Sequence, residues 1–152
     1  MKTFTYTLTN QTINSLIDFS IFKQEKNILI QIFCGDKKDV LENILNTLIQ
    51  ELPNAICISS STDGEINNSE ISTLKTVITI SIFEKTTLRC AYIEGTNSFK
   101  NGKFLASKLC KKDTKVLLTF TDGAKTNGEE FLNGISSIND KIIVSGGMAG
   151  DN

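Results

Sequence analysis

The chain has 152 residues, of which 39% are hydrophobic, and its formal net charge is −1. This length suits a single domain, and the apolar content supports a folded core. The charges are mixed along the chain, so we expect no nucleic acid and no membrane among its partners. No segment approaches the ~18 apolar residues of a membrane helix, and the first ten residues lack signal-peptide character.

Histidine is absent from the sequence, and its absence removes two kinds of chemistry. Ser-His-Asp and Cys-His catalysis cannot be assembled within the chain, nor can a histidine-containing zinc site. The four cysteines are widely spaced, without a C-x-x-C pair: Cys34, Cys57, Cys90 and Cys110. We therefore expect reduced thiols in or near the core of a cytoplasmic protein that has no metal and no cofactor.

The N-terminal part of the chain alternates between strand and helix patterns. Thr3–Leu8 alternates polar and apolar residues, which predicts a strand, and helical spacing then continues to about Lys23. Ile28–Phe33 and Ala55–Ser59 are short apolar runs that indicate buried strands. Between them, residues 36–52 carry the clearest apolar helical stripe of the chain. This order predicts a parallel pair of strands with a right-handed crossover.

The remaining part begins with a polar loop over residues 59–70. Two β-rich segments, TVITISIF and LRCAYI, follow it and predict an antiparallel hairpin over 75–93. The later predicted elements are a helix at 99–110 with Phe104 inward, a strand at 115–120, a helix at 127–138 and a strand at 141–145.

These elements predict an α/β domain over residues 1–152. Its fold class is a mixed, mainly parallel sheet with helices on its faces and an antiparallel hairpin extension. The parallel core is expected to hold the strands at 28–33, 55–59, 115–120 and 141–145, and Thr3–Leu8 is expected to extend the sheet.

Small, hydroxyl and acidic residues follow each core strand, where sheets of this kind usually bind ligands. They are Cys34 to Asp36, Ser59 to Glu65, Thr121 to Gly123 and Gly146 to Asp151. Carboxylates there can hold a ligand ammonium, and backbone N–H groups can hold its carboxylate, which suits an amino acid. The same residue types also build turns and helix caps, so both interpretations stay open.

The glycine-rich segment SGGMAGDN (Ser145 to Asn152) follows the last strand, and we interpret it as a turn. It lacks the G-x-G-x-x-G spacing of a dinucleotide site and the lysine of a P-loop. Enzymatic chemistry would need Cys34 as a nucleophile or a carboxylate pair such as Asp63 with Glu65 or Asp122 with Glu129. We expect Cys34 to be a buried structural thiol instead.

Four segments in chain order resemble the FIST N domain family: ILIQIFCG, AICISSSTDGEI, LLTFTDGAKTNGEEFLNGI and IIVSGGMAGDN. Together they span about Asn27 to Asp151. Ser59 to Ser61 stand where the family more often has a glycine. The resemblance implies a sensory domain of bacterial signalling proteins, a family that also occurs in some eukaryotic F-box proteins. It implies no catalytic activity.

The resemblance also implies partners and a ligand site. A FIST C half and a signalling output domain are expected beyond Asn152, and the two halves together are expected to bind a small-molecule ligand, possibly an amino acid. The expected ligand-binding residues are Ser60, Ser61, Thr62, Gly64, Glu65, Asp122, Gly123, Gly146, Gly147 and Asp151. The alternatives are a protein-interaction module without ligand and an uncharacterised enzyme that uses carboxylates or Cys34.

Overall fold

The computed structural model describes residues 1–9, 12–67 and 69–150. Its internal contacts divide the chain into two compact units. The first unit comprises Met1–Leu88 together with Gly150, and the second comprises Arg89–Ala149. Each unit has its own cluster of buried apolar side chains. No helix in these ranges is long and apolar enough to cross a membrane.

The first unit contains a four-stranded mixed sheet in the order β1-β6-β2-β3 and a separate two-stranded hairpin, β4-β5. Its elements are β1 (Lys2–Leu8), α1 (Ile13–Leu16), a 3-10 helix (Phe19–Ile21), β2 (Ile28–Cys34), α2 (Lys38–Glu51), β3 (Ile56–Ser61), β4 (Glu65–Asn67), β5 (Glu70–Ser72) and β6 (Thr76–Ile82). Strands β2 and β3 are parallel, and β6 is antiparallel to both of its neighbours. The mixed α/β fold class and the parallel β2-α2-β3 unit are therefore confirmed.

The core of this unit forms where α2 packs against the sheet. Alternate residues of β2 and β6, among them Ile30 and Ile80, point to one face and are fully buried. Leu48 of α2 and Phe22 lie in the same cluster, and Phe22 contacts Phe4 edge to face with ring centroids 5.2 Å apart. The alternation in Thr3–Leu8 correctly placed the aromatic residues of β1 on this face.

The predicted helix up to Lys23 is wrong in its length. Helix α1 has only four residues, and a 3-10 helix follows after a break. Asp18 causes the break, because its extended backbone (ψ 97°) lets its carboxylate accept hydrogen bonds from the N–H and the hydroxyl of Ser20. Asp and Ser side chains often compete with helical hydrogen bonding in this way.

The predicted hairpin over 75–93 is also wrong, because Leu88–Ile93 forms no strand. Strand β6 already lies between β1 and β2, so both of its edges are occupied and none remains for a following strand. The antiparallel hairpin of this unit is instead β4-β5, which begins within the segment 59–70 that was predicted as a loop.

The second unit contains α3 (Ser98–Leu109), β7 (Val116–Asp122), α4 (Gly128–Ser136) and β8 (Ile143–Ala149). Strands β7 and β8 form a parallel pair of their own, so the four expected core strands are hydrogen-bonded as two separate pairs. Each pair is joined through one helix, which makes it a local β-α-β unit. Two side-chain expectations are wrong: Phe104 is 39% exposed, and Cys90 is exposed.

Helices α3 and α4 approach each other closely through two glycines. An ideal Cβ at Gly102 of α3 would overlap the carbonyl oxygen of Phe131, and one at Gly134 of α4 would overlap that of Phe99. The absence of both side chains lets the two helix backbones come into contact. Beside this crossing, Ala106 and Ile135 are completely buried.

Candidate functional site

The carboxyl ends of β2 and β3 lie at one edge of the four-stranded sheet because these strands are parallel. Cys34 at the end of β2 is level with Ser61 at the end of β3. The antiparallel strand β6 begins at this edge, where Thr76 is paired with Cys34. Five of the predicted ligand-binding residues belong to the segment that ends β3 and leads into β4: Ser60, Ser61, Thr62, Gly64 and Glu65.

Ser61 is bonded twice to Gly150, the last described residue of the glycine-rich segment. The Ser61 hydroxyl donates to the Gly150 carbonyl oxygen at 2.6 Å, and the Gly150 N–H donates to the Ser61 carbonyl oxygen at 3.1 Å. An ideal Cβ at Gly150 would lie 2.9 Å from the Asp63 carboxylate. The first unit therefore brings Gly150 to the loop after β3, although the two segments are far apart in the sequence.

Glu65 is the buried carboxylate of this loop, with a side chain only 2% exposed. It accepts a hydrogen bond from the Thr62 hydroxyl at 2.7 Å and a longer one from the Lys75 N–H at 3.3 Å. Its carboxylate lies over Gly35, where any side chain would overlap it. Within the described ranges Glu65 forms no ion pair. Lys75 was not among the predicted site residues, because the segment that begins there was expected to pair with a later strand.

Cys34 is shielded from solvent at the same edge. Its side chain is 1% exposed, and its sulfur accepts a hydrogen bond from the Thr76 hydroxyl at 3.2 Å. The expectation that Cys34 is a buried thiol is confirmed. Among the described residues, no group of three His, Cys, Asp or Glu side chains is arranged to hold a metal ion.

Four further predicted ligand-binding residues lie in the second unit. The two glycines among them correct the interpretation of the glycine-rich segment as a turn. Gly146 and Gly147 belong to β8, where they pair with Thr119 and Phe120 of β7. SGGMAG is therefore mostly strand, because β7 is long enough to continue the ladder as far as Ala149. Asp151 lies outside the described residues.

Asp122 is the last residue of β7, and Gly123 begins the turn that follows it. One carboxylate oxygen of Asp122 accepts from the N–H groups of Ala124 and Lys125 at 3.0 Å each. The other oxygen lies 3.0 Å from the Lys125 ammonium. This carboxylate therefore stabilises its own turn. Its expected partner in an acid/base pair, Glu129, lies in the exposed first turn of α4.

The hydrogen bond from the Lys125 side chain, together with the two backbone bonds, holds the pKa of Asp122 below its usual value. Because the folded-state pKa is lowered, the ionised Asp122 carboxylate stabilises the turn at pH values above the unfolded-state pKa. This stabilisation is lost as the pH falls through the folded-state pKa.

We expect Lys125→Met to raise the pKa of Asp122 measured by NMR titration, because the hydrogen bond and charge of Lys125 are lost. Lys112→Met is expected to leave this pKa unchanged. Equal midpoints in the wild type and Lys125→Met would contradict this account.

A shallow, open depression of about 630 Å³ lies over α1 and the 3-10 helix. It is lined by Asn14 to Ser20, Lys23 and Glu51, and the last two form an ion pair at 3.2 Å. None of the predicted ligand-binding residues lines it. The depression and the strand-end loop are therefore different places on the first unit.

Comparison with protein families gives a match to the FIST N domain over residues 28–152. The matched range contains every element from β2 to β8, including the loop after β3 and the glycine-rich strand. Searches of curated proteins and of solved structures gave no significant match. The family match covers most of the chain and agrees with the four motifs in their order. The chain therefore belongs to the FIST N domain family, which supports a sensory module of signal transduction.

Proposed function

We propose that the chain is the ligand-sensing part of a bacterial, cytoplasmic signalling protein and binds a small molecule such as an amino acid. In this proposal both units act as one FIST N domain. A FIST C half beyond Asn152 completes the ligand site, and an output domain reads the response. Membership of the FIST N domain family supports the sensory role. The proposed contacts in the first unit are those after β3 and at Gly150.

The observation that carries the proposal is the buried carboxylate of Glu65. Buried carboxylates are normally paired with a cation, because leaving water without compensation is costly. A carboxylate has about four acceptor sites, whereas among the described residues Glu65 receives two hydrogen bonds, one of them 3.3 Å long. The ammonium group of an amino acid supplies the missing cation and additional donors.

The bonds between Ser61 and Gly150 suggest how binding is read out. Glu65 and Ser61 belong to the same short loop, and the Ser61 hydroxyl is already bonded to Gly150. In our proposal the ligand carboxylate competes for donors of this loop, and Ser61 exchanges its protein partner for the ligand. Binding then favours a second arrangement of the segment at Gly150, which leads towards the proposed C-terminal half.

A single substitution of Glu65 tests the proposal. The protein to be measured contains the FIST N domain and the proposed FIST C half, and we call it the two-part protein. In calorimetry against the common amino acids, we expect Glu65→Gln to weaken binding at least about tenfold, because hydrogen bonds to charged groups contribute about 1.5–3 kcal/mol. Glu42→Gln is the matched control, since Glu42 is exposed on α2 and pairs only with Lys38. A folded protein that binds none of the amino acids, or equal affinity of Glu65→Gln and the wild type, would count against this site.

A further inference from the structure

The Glu65 carboxylate is covered in this arrangement of the first unit. Its side chain is 2% exposed, and the carboxylate lies directly over Gly35, which leaves no space for an ammonium group above that glycine. A ligand that pairs with Glu65 therefore requires a second arrangement, in which the carboxylate is uncovered. Glu65 is the first residue of β4, so the segment that has to move is the hairpin β4-β5.

The hairpin contributes little to the core of the first unit. Of the residues in β4 and β5, Glu65 alone is buried, and the opposed Ile66 and Ile71 are 74% and 80% exposed. A two-stranded hairpin by itself is only marginally stable in water. Segments with few buried apolar contacts open locally at a small cost in free energy. The hairpin is therefore able to open while the four-stranded sheet stays folded.

Both ends of the hairpin combine a fixed point with a residue suited to rotation. The Thr62 N–H and the Lys75 carbonyl oxygen are hydrogen-bonded to the backbone at the end of β2, at 3.0 and 2.8 Å. Between these fixed points and the strands lie Gly64 on one side and Leu74 on the other. Gly64 has no side chain to restrict its backbone. Leu74 has a φ of 57°, an unfavourable left-handed conformation for a branched aliphatic residue, so rotation there relieves strain.

Two contacts among the described residues hold the hairpin closed. At its base, Glu65 accepts hydrogen bonds from the Thr62 hydroxyl and the Lys75 N–H. Further along β4, the Asn67 amide donates to the Thr7 hydroxyl of β1 at 2.8 Å. A ligand ammonium replaces donors at the carboxylate, so the first contact is exchanged on binding. The bond between Asn67 and Thr7 belongs to the closed arrangement and therefore opposes binding.

We propose that the hairpin β4-β5 is a gate over Glu65. The gate opens about Gly64 and Leu74 to admit the ammonium group of the ligand, and the bond between Asn67 and Thr7 keeps it closed without ligand. This inference rests on the proposed function, because it concerns access to the same carboxylate. The apparent affinity is reduced by the fraction of molecules that are open, and bound ligand shifts the hairpin towards the open arrangement.

Hydrogen exchange on the chain of residues 1–152 tests the opening without a ligand. Thr7→Val removes the hydroxyl that accepts from Asn67, but it keeps the branched shape and leaves the hairpin sequence intact. The bond of the Lys75 amide to the buried carboxylate breaks on opening. We expect its exchange to become about threefold faster or more, relative to the Ile30 amide in the central strand β2. Thr5→Val, at an exposed residue on the same face of β1, is the matched control and is expected to leave this ratio unchanged.

Calorimetry of the two-part protein with the common amino acids tests the access to Glu65. We expect Thr7→Val to bind about threefold more tightly or better, because a larger fraction of the molecules is open, and Thr5→Val to bind like the wild type. An unchanged exchange ratio in Thr7→Val, or an affinity equal to or below that of a wild type that binds, overturns the gate alone. Faster exchange of the Lys75 amide in a protein that binds no amino acid supports the opening of the hairpin and overturns the ligand-sensing proposal.

Discussion

Replacing Gly146 with alanine is expected to lower the free energy of unfolding by about 3 kcal/mol or more. Gly146 lies in β8 with a φ of 147°, a conformation that residues with side chains rarely adopt. An ideal Cβ there would also overlap the carbonyl oxygen of Thr119 on β7. The substitution therefore combines backbone strain with a steric clash inside the parallel ladder. Urea unfolding followed by circular dichroism measures the loss.

The neighbouring glycine provides a matched control. An ideal Cβ at Gly147 has no atom within 4 Å, and its φ is not in the left-handed region. We expect Gly147→Ala to change the free energy of unfolding by no more than about 0.5 kcal/mol, as is usual for surface substitutions. Similar losses for the Gly146 and Gly147 variants would show that the close approach of β8 to Thr119 is not the cause.

The second large effect is expected at the crossing of α3 and α4. Gly102→Ala or Gly134→Ala would place a methyl group against the backbone of the facing helix. Overpacking of this kind usually costs about 1–3 kcal/mol. Alanine's higher helix propensity offsets up to about 1 kcal/mol of that cost. We therefore expect a net loss of stability from each substitution, measured by thermal and urea unfolding.

Gly128 at the start of α4 is the control for this pair, because an ideal Cβ there meets only the Met148 sulfur at an ordinary 3.8 Å. Gly128→Ala is expected to leave stability unchanged or to raise it slightly. The double variant Gly102→Ala/Gly134→Ala should lose less than the sum of the single losses, because helices pushed apart by one methyl group accommodate the second. If the two losses were additive, the contacts at Gly102 and Gly134 would not depend on the same distance between α3 and α4.

The elements that local patterns predicted correctly are those whose periodicity is set by a single core. The alternation of β1 and the long apolar stripe of α2 each match a face that packs on the same cluster. The start of the helix predicted at 127–138 was also correct, and the Asn127 side chain caps it by accepting a hydrogen bond from the Glu130 N–H. These features depend on near neighbours in the sequence, which local patterns record.

The misassigned segments are those whose structure depends on distant partners. LRCAYI has a strand-like composition, but the edge of β6 on which the predicted hairpin depends is occupied by β1. Glycines in SGGMAG predicted a turn, but Gly146 is needed in a strand that passes close to Thr119. The polar segment 59–70 predicted a loop, although the packing of Glu65 over Gly35 and the hydrogen bond of Asn67 to Thr7 support a short strand within it. Tertiary contacts decide such cases over local propensity.

The candidate site was predictable in its composition and less so in its contacts. Parallel β2 and β3 made it foreseeable that Ser61 and Cys34 would lie at one edge. The burial of Glu65 beneath Gly35 and the contact of Gly150 with Ser61 were not foreseeable. They depend on the path of the chain after the strands end, for which side-chain periodicity carries no signal.

The contact between Ser61 and Gly150 also has a consequence for the order of folding during synthesis. The first unit is discontinuous in sequence, because the whole second unit lies between Leu88 and Gly150. The ribosome therefore completes the four-stranded sheet long before it adds the residue that bonds to Ser61. Until residue 150 emerges, Ser61 lacks this partner. We expect these two hydrogen bonds to be among the final contacts to form in a newly made chain.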